Sequence, residues 1–207
     1  MKNFLICIGN GTVGKICIDN LKYQRKYKKY KIIKIIKNEK KKSLKKKICK
    51  IGNIKKIDFI IGFANISNLK NNKIIYDLLK NFKCKVINFF HHTSIIDKSA
   101  HFGSGVKVFP SAIINRDCKI KNNVLINTGA IIEHDCILDD HVQISPGVIL
   151  GGNVKIGKLT FVGIGTKIIQ GIKIGKNCII GAGSVVIKNI PNNSIYAGVP
   201  AKRIGAR

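Results

Sequence analysis

Acidic residues are scarce in this sequence. Only 10 of its 207 residues are Asp or Glu, against 38 Lys or Arg, and the formal net charge is +28. Such a charge is typical of a protein that binds nucleic acid or an anionic membrane. Arginine, which makes bidentate contacts to phosphates and bases, is also scarce, since only Arg25, Arg116, Arg203 and Arg207 occur. The lysine excess therefore indicates drift toward A/T-only codons, and we expect no specific nucleic-acid binding.

Long apolar runs and paired cysteines are missing as well. The apolar stretch at the amino terminus spans about five residues, which is too short for a signal peptide or a membrane span. We therefore expect a cytoplasmic protein that does not bind membranes. The seven cysteines are scattered and form no C-x-x-C pair, so the sequence predicts neither a disulfide framework nor a metal site.

The chain changes character near residue 93. Residues 1–93 carry 24 basic and 4 acidic side chains, whereas residues 94–207 carry 14 and 6. The first part alternates apolar strands with helical stretches, which predicts a Rossmann-like α/β lobe with a small parallel sheet. The expected elements are a strand at residues 4–8, a helix to about Lys29, a strand around residues 32–36, a strand at 59–62, a helix from about 68 to 82 and a strand near Val86.

A six-residue repeat follows. In steps of six from Ile96 to Val186, all sixteen positions are apolar, and a mostly smaller residue stands four places after each. Chance alone gives such a run with a probability of about 10⁻⁵. A period of six fits neither an α-helix nor antiparallel hairpins, and it predicts a parallel β-helix of three hexads per coil. We expect a first domain at 1–93, the β-helix at 94–190 and a tail at 191–207.

Two longer motifs accompany the repeat. They are NTGAIIEHDCILDDHVQISPGVILGGNVKIG at residues 127–157 and IGAGSVVIKNIPNNSIYAGVPAKRI at residues 180–204. With the repeat, they resemble the left-handed β-helix acyltransferases, and more narrowly the group of sialic-acid O-acetyltransferases and UDP-4-amino-sugar N-acetyltransferases. The resemblance covers nearly the whole chain. It implies a homotrimeric enzyme that moves acetyl from acetyl-CoA to an amino or hydroxyl group of a sugar, without a metal, and a first domain that binds a nucleotide sugar.

A candidate base stands in the central motif. Acetyl transfer from a thioester needs a group that takes the proton of the nucleophile, and one positioned imidazole suffices. The resemblance implies that His134 is this base and that Asp135 raises its basicity; a solvent-facing turn histidine is the alternative. It also implies that Gln143, Ile164 and Ala182 contact acetyl-CoA in a groove between neighbouring copies. Gln143 replaces a histidine of the family and does not titrate near neutrality.

A second candidate site lies in the first domain. Residues 9–14, GNGTVG, follow the first strand and open a helix, where glycine lets the backbone approach a ligand and the helix terminus favours an anion. The resemblance implies that this turn holds the nucleotide part of a nucleotide sugar. A purely structural turn is the alternative, because Val13 replaces a histidine of the family. The predicted substrate-binding residues are Gly11, Thr12, Val13, Asn38 and Gly62.

Two further functions stay open at this point. The acceptor could be a free sialic acid or an amino acid instead of a nucleotide-linked sugar. The chain could also be a basic scaffold that binds a polyanion through the lysine-rich residues 22–56 and catalyses nothing.

Overall fold

The computed structural model describes residues 2–9, 11–24, 27–33, 45–48, 57–62 and 69–207. The chain divides into two units, Met1–Phe89 and Phe90–Arg207. The boundary predicted from composition, after residue 93, lies four residues further along the chain. Within the described ranges no helix combines the length and the apolar composition that crossing a membrane requires.

The first unit contains a parallel sheet with strand order β2-β1-β3-β4. Its core is apolar on both elements, with Ile8, Phe59 and Leu79 buried. Parallel strands joined through helices form the α/β lobe that the sequence predicts. The strands are Lys2–Ile8 (β1), Tyr27–Ile33 (β2), Asp58–Ile61 (β3) and Lys85–Val86 (β4), and the helices are Thr12–Tyr23 and Leu69–Asn81.

The first helix is shorter than the sequence predicts. It ends at Tyr23, and β2 already begins at Tyr27, so the prediction of a helix to about Lys29 is wrong. Parallel pairing overrides the helical propensity of this lysine-rich stretch, because β2 pairs with β1 from Lys2↔Tyr27 to Ile8↔Ile33. Residues 34–36, the end of the predicted second strand, lie outside the described residues.

The second unit is a parallel β-helix. Each strand pairs with the strand 18 residues further on, as in Ile131↔Ile149, Ile137↔Lys155 and Gln143↔Phe161. Three two-residue strands and three two-residue turns complete one coil. This register confirms the coil of three hexads that the six-residue period predicts.

The strands stack into three sheets, which form three faces. The isoleucine face contains Ile95–Ile96, Ile113–Ile114, Ile131–Ile132, Ile149–Leu150, Lys167–Ile168 and Val185–Val186. The lysine face contains His101–Phe102, Lys119–Ile120, Ile137–Leu138, Lys155–Ile156 and Lys173–Ile174. The mixed face contains Phe89–Phe90, Lys107–Val108, Leu125–Ile126, Gln143–Ile144, Phe161–Val162, Ile179–Ile180, Ser194–Ala197 and Lys202–Ala206.

The interior is a stack of aliphatic side chains. The second residue of almost every strand points inward, and Ile132, Leu138 and Ile144 are 0% exposed. Small residues such as Cys136 and Val142 fill the corners and are also fully buried. Most turns place their second residue at positive φ, which favours Gly, Asn and Asp. The apolar period and the turn residues therefore specify the same coil.

The tail extends the mixed face. Ser194–Ala197 pairs in parallel with Ile179–Ile180 and antiparallel with Lys202–Ala206. Nη1 of Arg207 donates hydrogen bonds to the carbonyl oxygens of Leu159 and Cys178, at 3.1 and 3.2 Å. The tail is thereby fastened to coils that precede it.

Replacing Arg207 tests this attachment. In Arg207→Ala both carbonyls lose a charged donor, so we expect the melting temperature to fall by about 2–6 °C. Thermal unfolding followed by circular dichroism measures the change. Arg203→Ala, which removes an exposed arginine of the same strand, is the control and should leave the melting temperature unchanged. Equal melting temperatures for the two variants would contradict the attachment.

Candidate active site

The turns of successive coils stack into columns along each corner. The His134 corner joins the isoleucine face to the lysine face, and the Ile164 corner joins the mixed face to the isoleucine face. Successive turns of the His134 corner are Arg116-Asp117, His134-Asp135, Gly152-Asn153 and Gln170-Gly171. Successive turns of the Ile164 corner are Pro146-Gly147, Ile164-Gly165 and Ala182-Gly183.

His134 and Asp135 face each other at their corner. Nδ1 of His134 lies 2.9 Å from Oδ2 of Asp135, and the two side chains are 56% and 58% exposed. A carboxylate accepts the proton of Nδ1, so Nε2 is left as the lone-pair nitrogen of the neutral ring. Asp135 also occupies the positive-φ position of the turn, with φ 60°. One aspartate therefore forms the corner and orients the imidazole.

Nearby carboxylates make this imidazole more basic. The hydrogen bond from Asp135 raises the pKa of His134 above 6.5, and the negative charges of Asp135 and Glu133 add to the effect, while partial burial opposes it. Glu133 is held in place by Asn115 of the preceding coil, whose Nδ2 donates to Oε2 at 2.9 Å. The environment therefore favours the imidazolium that forms when His134 accepts a proton.

The backbone beneath His134 is fixed by the neighbouring coils. The amide of Asp135 donates to the carbonyl of Arg116 at 3.1 Å, and the carbonyl of His134 accepts from the amide of Asn153 at 2.8 Å. From the interior, Sγ of Cys118 donates to the carbonyl of Glu133 at 3.1 Å. The turn that carries the base is thus held by the coils before and after it and from inside.

Gly152 makes room for the imidazole. A Cβ atom at this position would lie 2.6 Å from both Cε1 and Nε2 of His134, closer than real contacts allow. The ring therefore lies against the bare backbone of the next coil. Sequence reasoning missed this residue, although Gly152 stands 18 residues after His134 and the coil length makes the two neighbours.

The predicted acetyl-CoA residues lie elsewhere on the coil. Ile164 is 60% exposed at its corner, and Ala182 is exposed in the same column one coil further on. Gln143 lies on the mixed face, is 3% exposed, and its Nε2 has no hydrogen-bond partner. The structure therefore brings Ile164 and Ala182 together, but it places them at the opposite end of the isoleucine face from His134.

The predicted nucleotide turn lies at the carboxyl ends of β1 and β3. The amide of Gly14 donates to the carbonyl of Gly62 at 3.0 Å, and Gly11 is the N-cap of the first helix. Gly11 and Thr12 are exposed and Val13 is half-buried. The predicted residue Asn38 lies outside the described residues. The structure thus brings Gly11, Thr12, Val13 and Gly62 to one edge of the sheet, where ligands of parallel sheets bind.

Close packing also explains two glycines of this turn region. A Cβ at Gly14 would lie 2.9 Å from Sγ of Cys7, and a Cβ at Gly62 would lie 2.5 Å from the same atom. Both positions therefore need glycine for the contact between helix and sheet, whether or not a ligand binds. The exposed residues Gly11 and Thr12 have no such structural constraint and are the better candidates for ligand contact.

The other histidines have different surroundings. Nδ1 of His141 is bonded to Nδ2 of Asn123 at 3.0 Å in a buried position. His91 stacks on His92 at 4.4 Å, and burial together with the charge of His92 lowers the pKa of His91. Within the described ranges, no three His, Cys, Asp or Glu side chains are grouped as they would be around a metal ion.

Comparisons with known proteins agree with this architecture. The sequence model of the family "Bacterial transferase hexapeptide (six repeats)" matches residues 117–152 and 153–188. No curated protein matches the chain. The acetyltransferase domain of PglB from Neisseria gonorrhoeae FA1090 is 26% identical over 97% of this chain and 99% of that chain, with a TM-score of 0.86. It has also been solved in complex with acetyl coenzyme A.

Two further solved structures are similar along nearly their whole length. PerB from Caulobacter crescentus, in complex with CoA and GDP-perosamine, is 26% identical over 97% of both chains, with a TM-score of 0.81. WeeI from Acinetobacter baumannii AYE is 21% identical over 98% of this chain and 100% of that chain, with a TM-score of 0.82, and its likeness concerns the fold alone.

Replacing Gly152 tests the placement of the imidazole. In Gly152→Ala the new methyl group displaces the ring and weakens its hydrogen bond to Asp135, so we expect the pKa of His134 to fall toward 6.5. NMR titration of the His134 ring proton measures this change. Gln170→Ala, in the same column one coil beyond, should leave the titration as it is. An unchanged His134 pKa in Gly152→Ala would refute the contact.

Proposed function

We propose that this chain, a member of the left-handed β-helix acyltransferases with hexapeptide repeats, transfers acetyl from acetyl-CoA to an amino or hydroxyl group of a nucleotide-linked sugar. The likeness to PerB, solved with CoA and GDP-perosamine, and to PglB, solved with acetyl coenzyme A, supports the choice of both substrates. The exposed turn at Gly11 and Thr12 is the candidate nucleotide site. A cytoplasmic location is part of the same proposal.

The geometry of His134 carries this proposal. The nitrogen or oxygen nucleophile attacks the thioester carbonyl while Nε2 of His134 takes its proton. The new bond to the carbonyl carbon forms, the carbon–sulfur bond breaks, and the proton on His134 passes to the departing thiolate. Asp135 keeps Nδ1 protonated, so Nε2 presents its lone pair to the nucleophile, and stabilises the imidazolium during the step.

Loss of the base is the first test. Purified protein with acetyl-CoA and a panel of nucleotide-linked amino sugars should release free CoA, measured with a thiol reagent. We expect His134→Ala to lower kcat by about 10² or more, because the nucleophile then keeps its proton. His101→Ala, which removes an exposed histidine from the lysine face, is the control and should retain the wild-type rate. A full rate in His134→Ala would exclude it as the base.

The pH profile tests the partner carboxylate. An imidazolium accepts no proton, so kcat/KM should decline as the pH falls through the His134 pKa, which lies above 6.5. Asp135→Asn removes the charge that raises this pKa, so we expect the acidic limb of the profile to move to lower pH. Asp139→Asn, whose carboxylate pairs with Lys121 on the lysine face, is the control. An acidic limb that stays in place in Asp135→Asn would contradict the role of the carboxylate.

A homotrimer would complete this site. His134 and the pair Ile164 and Ala182 lie at the two ends of the isoleucine face, so one chain cannot hold both ends of a single reaction. In a closed ring, the His134 corner of each copy meets the Ile164 corner of the next. Three triangular prisms joined at these corners enclose a central triangle whose sides are the three isoleucine faces. The isoleucine face would then line the three-fold axis.

The surface of this face fits such an arrangement. Its outward side chains are Ile95, Ile113, Ile131, Ile149, Lys167 and Val185, all but one of which are apolar. A side of about 15 Å, given strands that rise about 3.3 Å per residue, places the axis about 4 Å from each face. Isoleucine side chains from three copies can fill that space. A continuous apolar strip on a free surface is itself typical of an interface.

A charge on the isoleucine face tests the trimer. Ile149 is 38% exposed in the single chain, and Ile149→Lys would place three charges in the apolar centre. We expect a monomer at micromolar concentration, measured by size exclusion with light scattering. Ile74→Lys, at a 41% exposed position of the helix Leu69–Asn81, is the control and should behave as the wild type. A wild-type monomer, or a trimer of Ile149→Lys, would contradict the assembly.

A further inference from the structure

Lys167 interrupts the apolar strip of the isoleucine face. Its side chain is exposed, whereas the next residue, Ile168, is 3% exposed and belongs to the interior. The strands on either side present Ile149 and Val185 at the same position. No ion pair of Lys167 is found among the described residues. The ammonium therefore stands alone between two apolar rungs.

The sequence offers this lysine no carboxylate nearby. Residues 141–207 contain nine Lys or Arg and not one Asp or Glu, the last acidic residue being Asp140. The rungs on either side of Lys167 are drawn from this acid-free stretch. In the closed three-fold ring of the proposed function, each coil faces the same coil of the other two copies. The partner copies therefore present the same acid-free surface to Lys167.

Three such ammonium groups would meet near the axis. The faces lie about 4 Å from it, and a lysine side chain is longer than that distance, so the charges converge. Three like charges a few ångströms apart repel one another strongly when apolar rungs above and below limit the access of water. Only an anion that enters from solution can neutralise them, because the protein supplies none at this level.

We propose that the three Lys167 side chains of the trimer form an anion site on the three-fold axis, and that its ligand is a small tetrahedral oxyanion such as inorganic phosphate. Three ammonium groups match three oxygen atoms of a phosphate, each through a charge-assisted hydrogen bond. The bound anion links all three copies, so its occupancy stabilises the trimer. This site rests on the homotrimer of the proposed function and takes no part in acetyl transfer.

The test compares the wild type with Lys167→Met, which keeps the length of the side chain and removes the charge. Trimer dissociation is followed by mass photometry at increasing inorganic phosphate, with potassium chloride holding the ionic strength constant. For the wild type we expect the trimer to tighten by about tenfold once phosphate reaches ten times its Kd. Lys167→Met should be tighter without phosphate and insensitive to it. Lys173→Met, which removes an exposed lysine from the lysine face, should respond as the wild type does.

Three results would overturn the site. They are a wild type that ignores phosphate, a Lys167→Met that still responds to it, and a monomeric wild type. A separate arm replaces phosphate with acetyl-CoA, and stabilisation by acetyl-CoA alone that depends on Lys167 would also overturn it, because the lysine would then contact the donor. The release of CoA in the activity assay judges the proposed function independently, since a chain without activity can still form the axial site.

Discussion

The in-register stacking of residue i on residue i+18 is the constraint on which the second unit depends. Large aliphatic side chains such as Ile132 and Leu150 stack inside, and each strand pairs with the strand one coil away. The same register decides which surface residues become neighbours. It sets Gly152 against His134 and Asn115 against Glu133, and it divides the outward positions into an isoleucine face and a lysine face. A uniform drift toward lysine and isoleucine codons would not separate the two residue types in this way.

The chemistry follows from this geometry. The coil fixes the backbone of the turn through bonds to the coils before and after it, and the turn needs a residue that tolerates positive φ. Asp135 meets that need and hydrogen-bonds the imidazole at the same time. The base is thus positioned by the scaffold and made more basic by a residue that the scaffold requires. Since one chain separates His134 from Ile164 and Ala182, assembly and catalysis depend on the same face.

Much of this could be read from the sequence, and the rest fails for identifiable reasons. The period of six gives the coil, its three hexads and the inward residues, because every hexad repeats the same local solution. The motif around Glu133-His134-Asp135 gives the base. The end of the first helix was wrong, since pairing of β2 with β1 outweighs local propensity. The role of Gly152 was missed because it depends on a contact across a coil, and Asn38 lies outside the described residues.

Mixing two inactive variants tests most directly whether the site is built from two copies. His134→Ala lacks the base, and Ala182→Trp fills the Ile164 corner of the neighbouring copy. Neither variant alone should be active, but an equal mixture, dissociated and reassembled, should recover about one quarter of the wild-type rate, because one random contact in four pairs an intact base with an intact corner. No recovery from mixed trimers, verified by mass spectrometry, would contradict the account.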